Sequence, residues 1–410
     1  MTAEGRVYLD HAATTPVDPG VVEAMLPYLR ELWHNPSSIY VEAQAARRAL
    51  DEARDAVARA LGADGSEVIF TSGGSEANAL ALRGVLEASR RRGRHIVTSV
   101  AEHHSVLDAA EQLERAGDAE VTRVGVDREG RVDPGAVADA VRDDTVLVSV
   151  MHANNEVGAL NDIAAIASAA RERAPAVVVH TDAVQSAAHL GFVPGGVDVG
   201  RLGVDLLTMT AHKLYGPRGA AALYVRAGTP IAPQILGGAQ ERRLRAGTED
   251  TPAIVGLAAA VRLAVERREA DLSHARALQE RLLAELPRRV PLLAVTGPRD
   301  LERRLPGSVS CVVGFVEGES ILLALDLAGI AASSGSACTT GSVEPSHVLL
   351  AMGLPAELAR GSLRFTIGRG NDDSDVERLL EALPPIVERL RALSPVPTRE
   401  PPEEWRRWLD

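Results

Sequence analysis

The segment Glu67–Val100, EVIFTSGGSEANALALRGVLEASRRRGRHIVTSV, holds one complete repeat of an architecture. The run Glu67–Ser72 is short, apolar and bounded by two glycines, as a strand is. Ala77–Arg92 follows with helical spacing of its apolar residues and few β-branched ones. Gly93 then breaks the pattern, and His95–Val100 is a second β-rich run. Working outward, the alternation continues. Strands are expected at Glu120–Val126, Thr145–Met151, Ala176–Asp182, Leu206–Thr210 and Ala221–Val225, with amphipathic helices at Ser105–Ala116, Pro134–Val141 and Ile163–Ala174. Val146–Val148 and Val177–Val179 are apolar without alternation, which suits strands buried on both faces. The pattern predicts an α/β fold whose larger domain has three layers around a mostly parallel sheet.

The remainder differs. Residues 253–287 read as a long helical bridge. Beyond it, strands at Ser308–Val313 and Leu363–Ile367 mix with helices at Ser320–Leu327 and Asp373–Leu393, a smaller α+β unit. Ser394–Asp410 carries four prolines and two tryptophans and reads as an extended arm. A chain of 410 residues exceeds the usual size of a single core, in keeping with two domains. Acidic residues outnumber basic ones by 56 to 44, which argues against a general surface for nucleic acid or anionic membrane. No apolar run approaches the ~18 residues of a membrane span. Met1–Asp10 lacks the basic-then-apolar order of a signal peptide. Two cysteines cannot form a disulfide framework, so a reducing, cytoplasmic setting is expected.

Five polar motifs fall where strands end, the edge at which open α/β sheets bind ligands. T-S-G-G-S-E (71–76) opens a helix; its glycines and amides suit a phosphate, while Ser75 could equally be a helix cap. T-A-H-K-L-Y-G-P-R-G (210–219) sets Lys213 beside Thr210 and His212, either as a surface lysine or as one able to bond a carbonyl cofactor. In H-T-D-A-V-Q (180–185), Asp182 needs a cationic or hydrogen-bonding partner. A-E-H-H-S (101–105) offers a histidine for stacking or proton transfer, and H-A-N-N-E-V-G (152–158) offers amides that fit a ligand contact or a turn. A sixth motif, S-S-G-S-A-C-T-T-G (333–341), surrounds Cys338 with small polar residues that leave a thiol accessible. Cys311, in the apolar S-V-S-C-V-V-G, reads as packed. There is no C-x-x-C pair, so no intrinsic metal site is expected.

Together with Y-L-D-H-A-A-T-T-P (8–16), N-P-S-S (35–38) and S-L-R-F-T-I-G-R (362–369), these motifs make nearly the whole chain resemble the cysteine desulfurases, fold type I enzymes of the class V aminotransferase group. The resemblance implies pyridoxal 5'-phosphate (PLP) as cofactor, carried by Lys213. Gly74, Ser75, Thr210 and His212 would hold its phosphate. Asp182 would meet its pyridine nitrogen and Gln185 its ring oxygen, with His103 stacked on the ring. Asn154 and Arg364 would take the substrate carboxylate. Thr248, in R-A-G-T, would reach the phosphate of a neighbouring subunit, which implies a homodimer. Cys338 would accept sulfur from L-cysteine as a persulfide, with L-alanine leaving. The implied division is 16–262 for the large domain, 1–15 with 263–395 for the small one, and 396–410 for the arm. S-S-G-S-A-C-T resembles the branch that supplies an iron–sulfur scaffold protein or a tRNA-thiolating enzyme. In that branch Cys338 would also be a ligand of a transient iron–sulfur cluster. A selenocysteine lyase or another class V aminotransferase is the rival enzyme, and a non-catalytic interaction protein the rival of another class.

Overall fold

The computed structural model describes residues 5–192, 196–335, 344–393 and 400–409. All seven strands expected before residue 226 form, and they build one sheet. Its order is Val68–Thr71, Ala221–Val225, Leu206–Thr210, Val178–Asp182, Thr145–Ser149, His95–Ser99, Glu120–Val124. Five of the strands pair in parallel, and Ala221–Val225 runs antiparallel to both of its neighbours. The parallel strands therefore end on one edge, where the five motifs gather. Apolar residues cover both faces: Val97, Val148, Val179 and Leu207 in one layer, Ile96, Leu147, Val178 and Leu206 in the other. This explains the apolar runs without alternation.

Two helices that the sequence reading did not place, Pro19–Arg30 and Val41–Leu61, pack on the helix Thr251–Arg289. Val41–Leu61 buries Ala43, Ala46, Leu50, Ala53, Val57 and Leu61, a stripe at three- and four-residue spacing. So many of its core residues are alanines that the stripe has little hydrophobic contrast. Thr251–Arg289 starts at Asp250, whose side chain accepts from Ala253 N, and runs for 39 residues. Ala253–Val261 sits in the core of the large sheet, and Leu278, Leu282 and Leu286 sit in a second core.

That second core lies on an antiparallel sheet ordered Ser362–Thr366, Ser308–Val313, Leu293–Thr296, with helices Gly318–Leu327 and Asp373–Leu393 against it. The start of the chain joins it. Val7–Tyr8 pairs with Ile330–Ala331, and Asp10 bridges Thr366. The tail departs from the expected extended arm, since Glu403–Leu409 is a helix. Its prolines all precede the helix, where a missing N–H costs nothing. Trp405, Trp408 and Leu409, three and four residues apart, pack with Val312, Leu349 and Leu354.

Candidate active site

A cavity of about 270 Å³ opens at the strand-end edge, lined by residues of all five strand-end motifs, by Ala12 and Ala13 of the N-terminal segment, and by Gly335 and Arg364. The first turn of the helix Gly74–Ser89 forms one wall. Its cap is Gly73, which has no side chain to satisfy the leading N–H groups; Ser75 is not the cap but an exposed residue of the first turn. These amides, with the positive end of the helix dipole, suit a phosphate. Close approach is built in, because a Cβ on Gly74 would lie 3.1 Å from Val184 Cγ2.

Asp182 is buried at the end of its strand. It accepts from Asn78 Nδ2 at 2.8 Å and from Val184 N at 2.9 Å. Asn78 Nδ2 also donates to Ser105 Oγ at 2.8 Å, and Ser105 Oγ lies 2.8 Å from His103 Nδ1. Ser105 N donates to the same Nδ1, so His103 caps its helix with an unprotonated nitrogen and carries its proton on Nε2. Burial holds the imidazole below its ordinary pKa, although Asp182 pulls the other way. One hydrogen-bonded chain thus orients the carboxylate and the imidazole together.

The Lys213 ammonium donates to the carbonyls of Ala12 and Ala13, the second at 2.6 Å. Gln185 Nε2 donates to Ala12 O at 3.0 Å, leaving Gln185 Oε1 buried with no partner among the described residues. Thr15 Oγ1 accepts from Tyr215 N at 2.8 Å and bonds His212 O, so residues 12–15 bind the lysine motif across His212–Tyr215. His212, 3.2 Å from Thr14 Oγ1, is pushed down to about 4 by burial and by the charges of Lys213 and Arg218, and is neutral near pH 7.

Asn154 takes a different role from the one expected. Its Nδ2 donates to Ala101 O, and its Oδ1 accepts from Glu156 N and Val157 N. These bonds lock a buried turn and leave nothing for a substrate. The neighbouring Asn155 lines the cavity instead. Arg364 also lines it. Nη1 donates to Asn155 O at 2.8 Å and Nη2 to Asp10 Oδ1 at 3.0 Å, while Nε is buried without a partner among the described residues. A planar carboxylate would satisfy that edge. Arg364 N also bonds Ser333 O at 2.6 Å, and Gly335, two residues on, reaches the cavity wall.

Cys338 and residues 336–343 lie outside the described residues. Cys311 is fully buried, and burial raises its thiol to about 12, so it is no nucleophile. Thr248 is exposed and outside the cavity of its own chain. Asp10, Ala12, Ala13, Ser105 and Asn155 lie in motifs quoted above but were given no role of their own, and Asn78 was not singled out, although it is a polar residue on the apolar stripe one turn after the glycines. The donors fit PLP: uncapped amides for an anion, a buried carboxylate, a lysine and two orphaned polar atoms face one volume.

The class-V aminotransferase model matches residues 7–379. The chain is 46% identical over 400 residues to the cysteine desulfurase IscS of Dictyoglomus turgidum, covering 98% of each. It is 46% identical over 399 residues to that of Methanosarcina thermophila, covering 97% of this chain and 96% of the other. Among solved structures, a NifS-like protein superposes with a TM-score of 0.87 at 34% identity, over 94% of this chain and 100% of that one. SspA in complex with cysteine gives 0.76 at 33%, over 88% and 99%. The chain therefore belongs to the class-V aminotransferase family, with its PLP-dependent fold type I architecture, and within it to the cysteine desulfurases.

Proposed function

We propose that this protein removes sulfur from L-cysteine, releasing L-alanine and leaving a persulfide on Cys338. The observation that carries the reading is the shared cavity. Lys213, the Asp182–Asn78–Ser105–His103 chain and Arg364 line the same cavity, and Gly335 brings the segment leading to Cys338 to its wall. PLP, when bound, supplies the electron sink that lets bonds at the substrate Cα and Cβ be remade. Gly74, Ser75, Thr210 and His212 would hold its phosphate, Asp182 its ring nitrogen, Gln185 its ring oxygen and His103 its face.

The chain's own residues do the rest. Arg364 and Asn155 fix the substrate carboxylate, which sets the amino group toward Lys213. Lys213 moves the Cα proton; the nearby carbonyls of Ala12 and Ala13 receive its amine when it is not bonded to the cofactor. The Cys338 thiolate attacks the substrate sulfur, so an S–S bond forms as the substrate C–S bond breaks. The former Cβ takes a proton and leaves as the methyl of alanine. One cysteine and one enzyme thiol thus give one alanine and one enzyme persulfide.

Exposed Thr248 supports a homodimer, in which it completes the neighbouring subunit's phosphate site, as do exposed Trp33, Ile39, Val41 and Leu236. The S-S-G-S-A-C-T segment supports an iron–sulfur scaffold or a tRNA-thiolating enzyme as sulfur acceptor. Two cysteines in so long a chain support a cytoplasmic location. No described helix is long and apolar enough to cross a membrane.

Three variants test the reading. Lys213→Ala should lose the visible absorbance of the lysine-bound cofactor and all turnover; normal turnover would overturn the cofactor assignment. Cys338→Ala should keep that absorbance and lose desulfuration by orders of magnitude. Cys311→Ala should do the reverse, keeping turnover while unfolding ~1–2 kcal/mol more easily. If the two cysteines exchange these behaviours, the wrong thiol has been assigned.

A further inference from the structure

Glu241, Arg242 and Arg243 occupy the left-handed region in succession, with φ of 42°, 55° and 67°. None is glycine, so each conformation is strained and persists only because the surroundings impose it. The imposing contacts are plain. Glu241 is buried with its carboxylate closed on the Arg54 guanidinium, at 2.7 and 2.6 Å, and it accepts from Phe70 N at 2.8 Å. Arg54 also bonds Val68 O at 2.7 Å and lies 4.5 Å over the Phe70 ring. Arg242 adds bonds to Val68 O and Gly65 O, each 3.0 Å. Arg54 comes from the helix Val41–Leu61; every other anchor is on or just before the strand Val68–Thr71, whose end becomes the phosphate turn. Beyond the strained run, Arg245 Nε pairs with Glu76 at 2.8 Å in the first turn of the phosphate helix. Three residues later comes exposed Thr248.

We propose that the Arg54–Glu241 pair is a positioning device that acts across the dimer. It holds the left-handed run 241–243 against the chain's own phosphate strand, and so sets the path of residues 244–248 that presents Thr248 to the phosphate site of the neighbouring subunit. The inference rests on the reading above that Thr248 acts between subunits. An ordinary loop would not need three strained residues pinned by a buried ion pair. A side chain that must reach a target on another chain does, because its position cannot be corrected by contacts within its own cavity.

Mixed dimers test this. A Glu241→Gln chain and a Lys213→Ala chain, carrying different tags, are co-expressed and the heterodimer is isolated. Its visible absorbance comes only from the Glu241→Gln subunit, whose site takes an intact Thr248 segment from the other chain. The Glu241→Gln homodimer should bind PLP about tenfold more weakly, the worth of one hydrogen bond to a charged group. The heterodimer should bind with wild-type affinity. Equal weakness in both dimers would overturn the proposal, since Glu241 would then act within its own chain. The double variant Arg54→Gln with Glu241→Gln leaves no unpaired buried charge, so it tests the same point if the single variant folds poorly. A Thr248→Val chain paired with Lys213→Ala separates the two readings. Failure of that heterodimer to recover would remove the trans role of Thr248 itself. Its recovery without recovery of the Glu241→Gln heterodimer would remove only the positioning role.

Discussion

Arg54 and Arg364 are 6% and 3% exposed, and each faces a carboxylate, yet their surroundings differ in kind. Arg54 closes its fork on Glu241 and donates again to a strand carbonyl, with an aromatic ring beneath it. Arg364, which lines the cavity, touches Asp10 with one nitrogen and a carbonyl with another, and its Nε is buried without a partner among the described residues. A guanidinium with a closed fork fixes backbone; one with an open edge has affinity left for a ligand. Burial and charge alone would not distinguish them. The count of satisfied donors does.

The largest expected effects break the comparison outright. Arg364→Ala should lower kcat/KM for cysteine about a thousandfold, roughly 4 kcal/mol of transition-state stabilisation, with little change in urea unfolding. Arg54→Ala should instead lower unfolding stability by ~3–5 kcal/mol, because Glu241 is left buried and unpaired. Steady-state kinetics beside denaturation curves for the pair decide it; an Arg364→Ala enzyme with wild-type KM and kcat would end the distinction.

A buried carboxyl sharpens it. Glu102 has no cationic partner among the described residues. Its Oε1 accepts from Ser99 Oγ and Met151 N, its Oε2 has no partner among the described residues, and burial raises its pKa from 4.5 to about 8. Between those values the folded protein holds one more proton here than the unfolded chain does. This carboxyl's contribution to stability therefore falls as pH rises from about 4.5 to about 8, then levels off. Glu102→Gln should remove that slope, so the variant should gain on the wild type at alkaline pH. Urea unfolding at the two ends of the window checks it, and an unchanged pH profile would show that Glu102 is ionised in the fold.

The smallest effect concerns Asp10. It competes with an incoming carboxylate for Arg364 Nη2, and Asn would keep the acceptor while losing the charge. Asp10→Asn should lower KM for cysteine about fivefold, with kcat nearly unchanged. A raised KM would mean that Asp10 orients Arg364 instead of competing for it.

Much of this was legible in the sequence, and the limits have physical causes. The seven strands of the large sheet announce themselves because continuous Val, Ile and Leu runs are what a doubly covered strand requires. The motifs after them are legible because strand ends are where side chains meet a ligand. Asn154 and Asn155 were not separable, since both sit in one tight turn and only its backbone path decides which amide points inward. Asp10, Ala12 and Ala13 were out of reach for another reason. Their partners lie about 200 to 350 positions away, and no local pattern records such contacts. The helix Glu403–Leu409 was masked by the prolines ahead of it, although its Trp-x-x-Trp-Leu spacing marks one apolar face.

The way the chain's first residues join its last has a consequence for synthesis. Val7 pairs with Ile330, and Ala12 N bonds Thr366 Oγ1 across 354 positions. The ribosome makes the segment that receives Lys213 near the start, and the strand that holds it in place near the end. The large sheet can assemble while translation continues, since its strands lie between residues 68 and 225. The cavity cannot close until the strand Ser362–Thr366 has emerged from the exit tunnel. Nascent chains stalled short of that strand should carry a folded sheet that does not yet retain PLP.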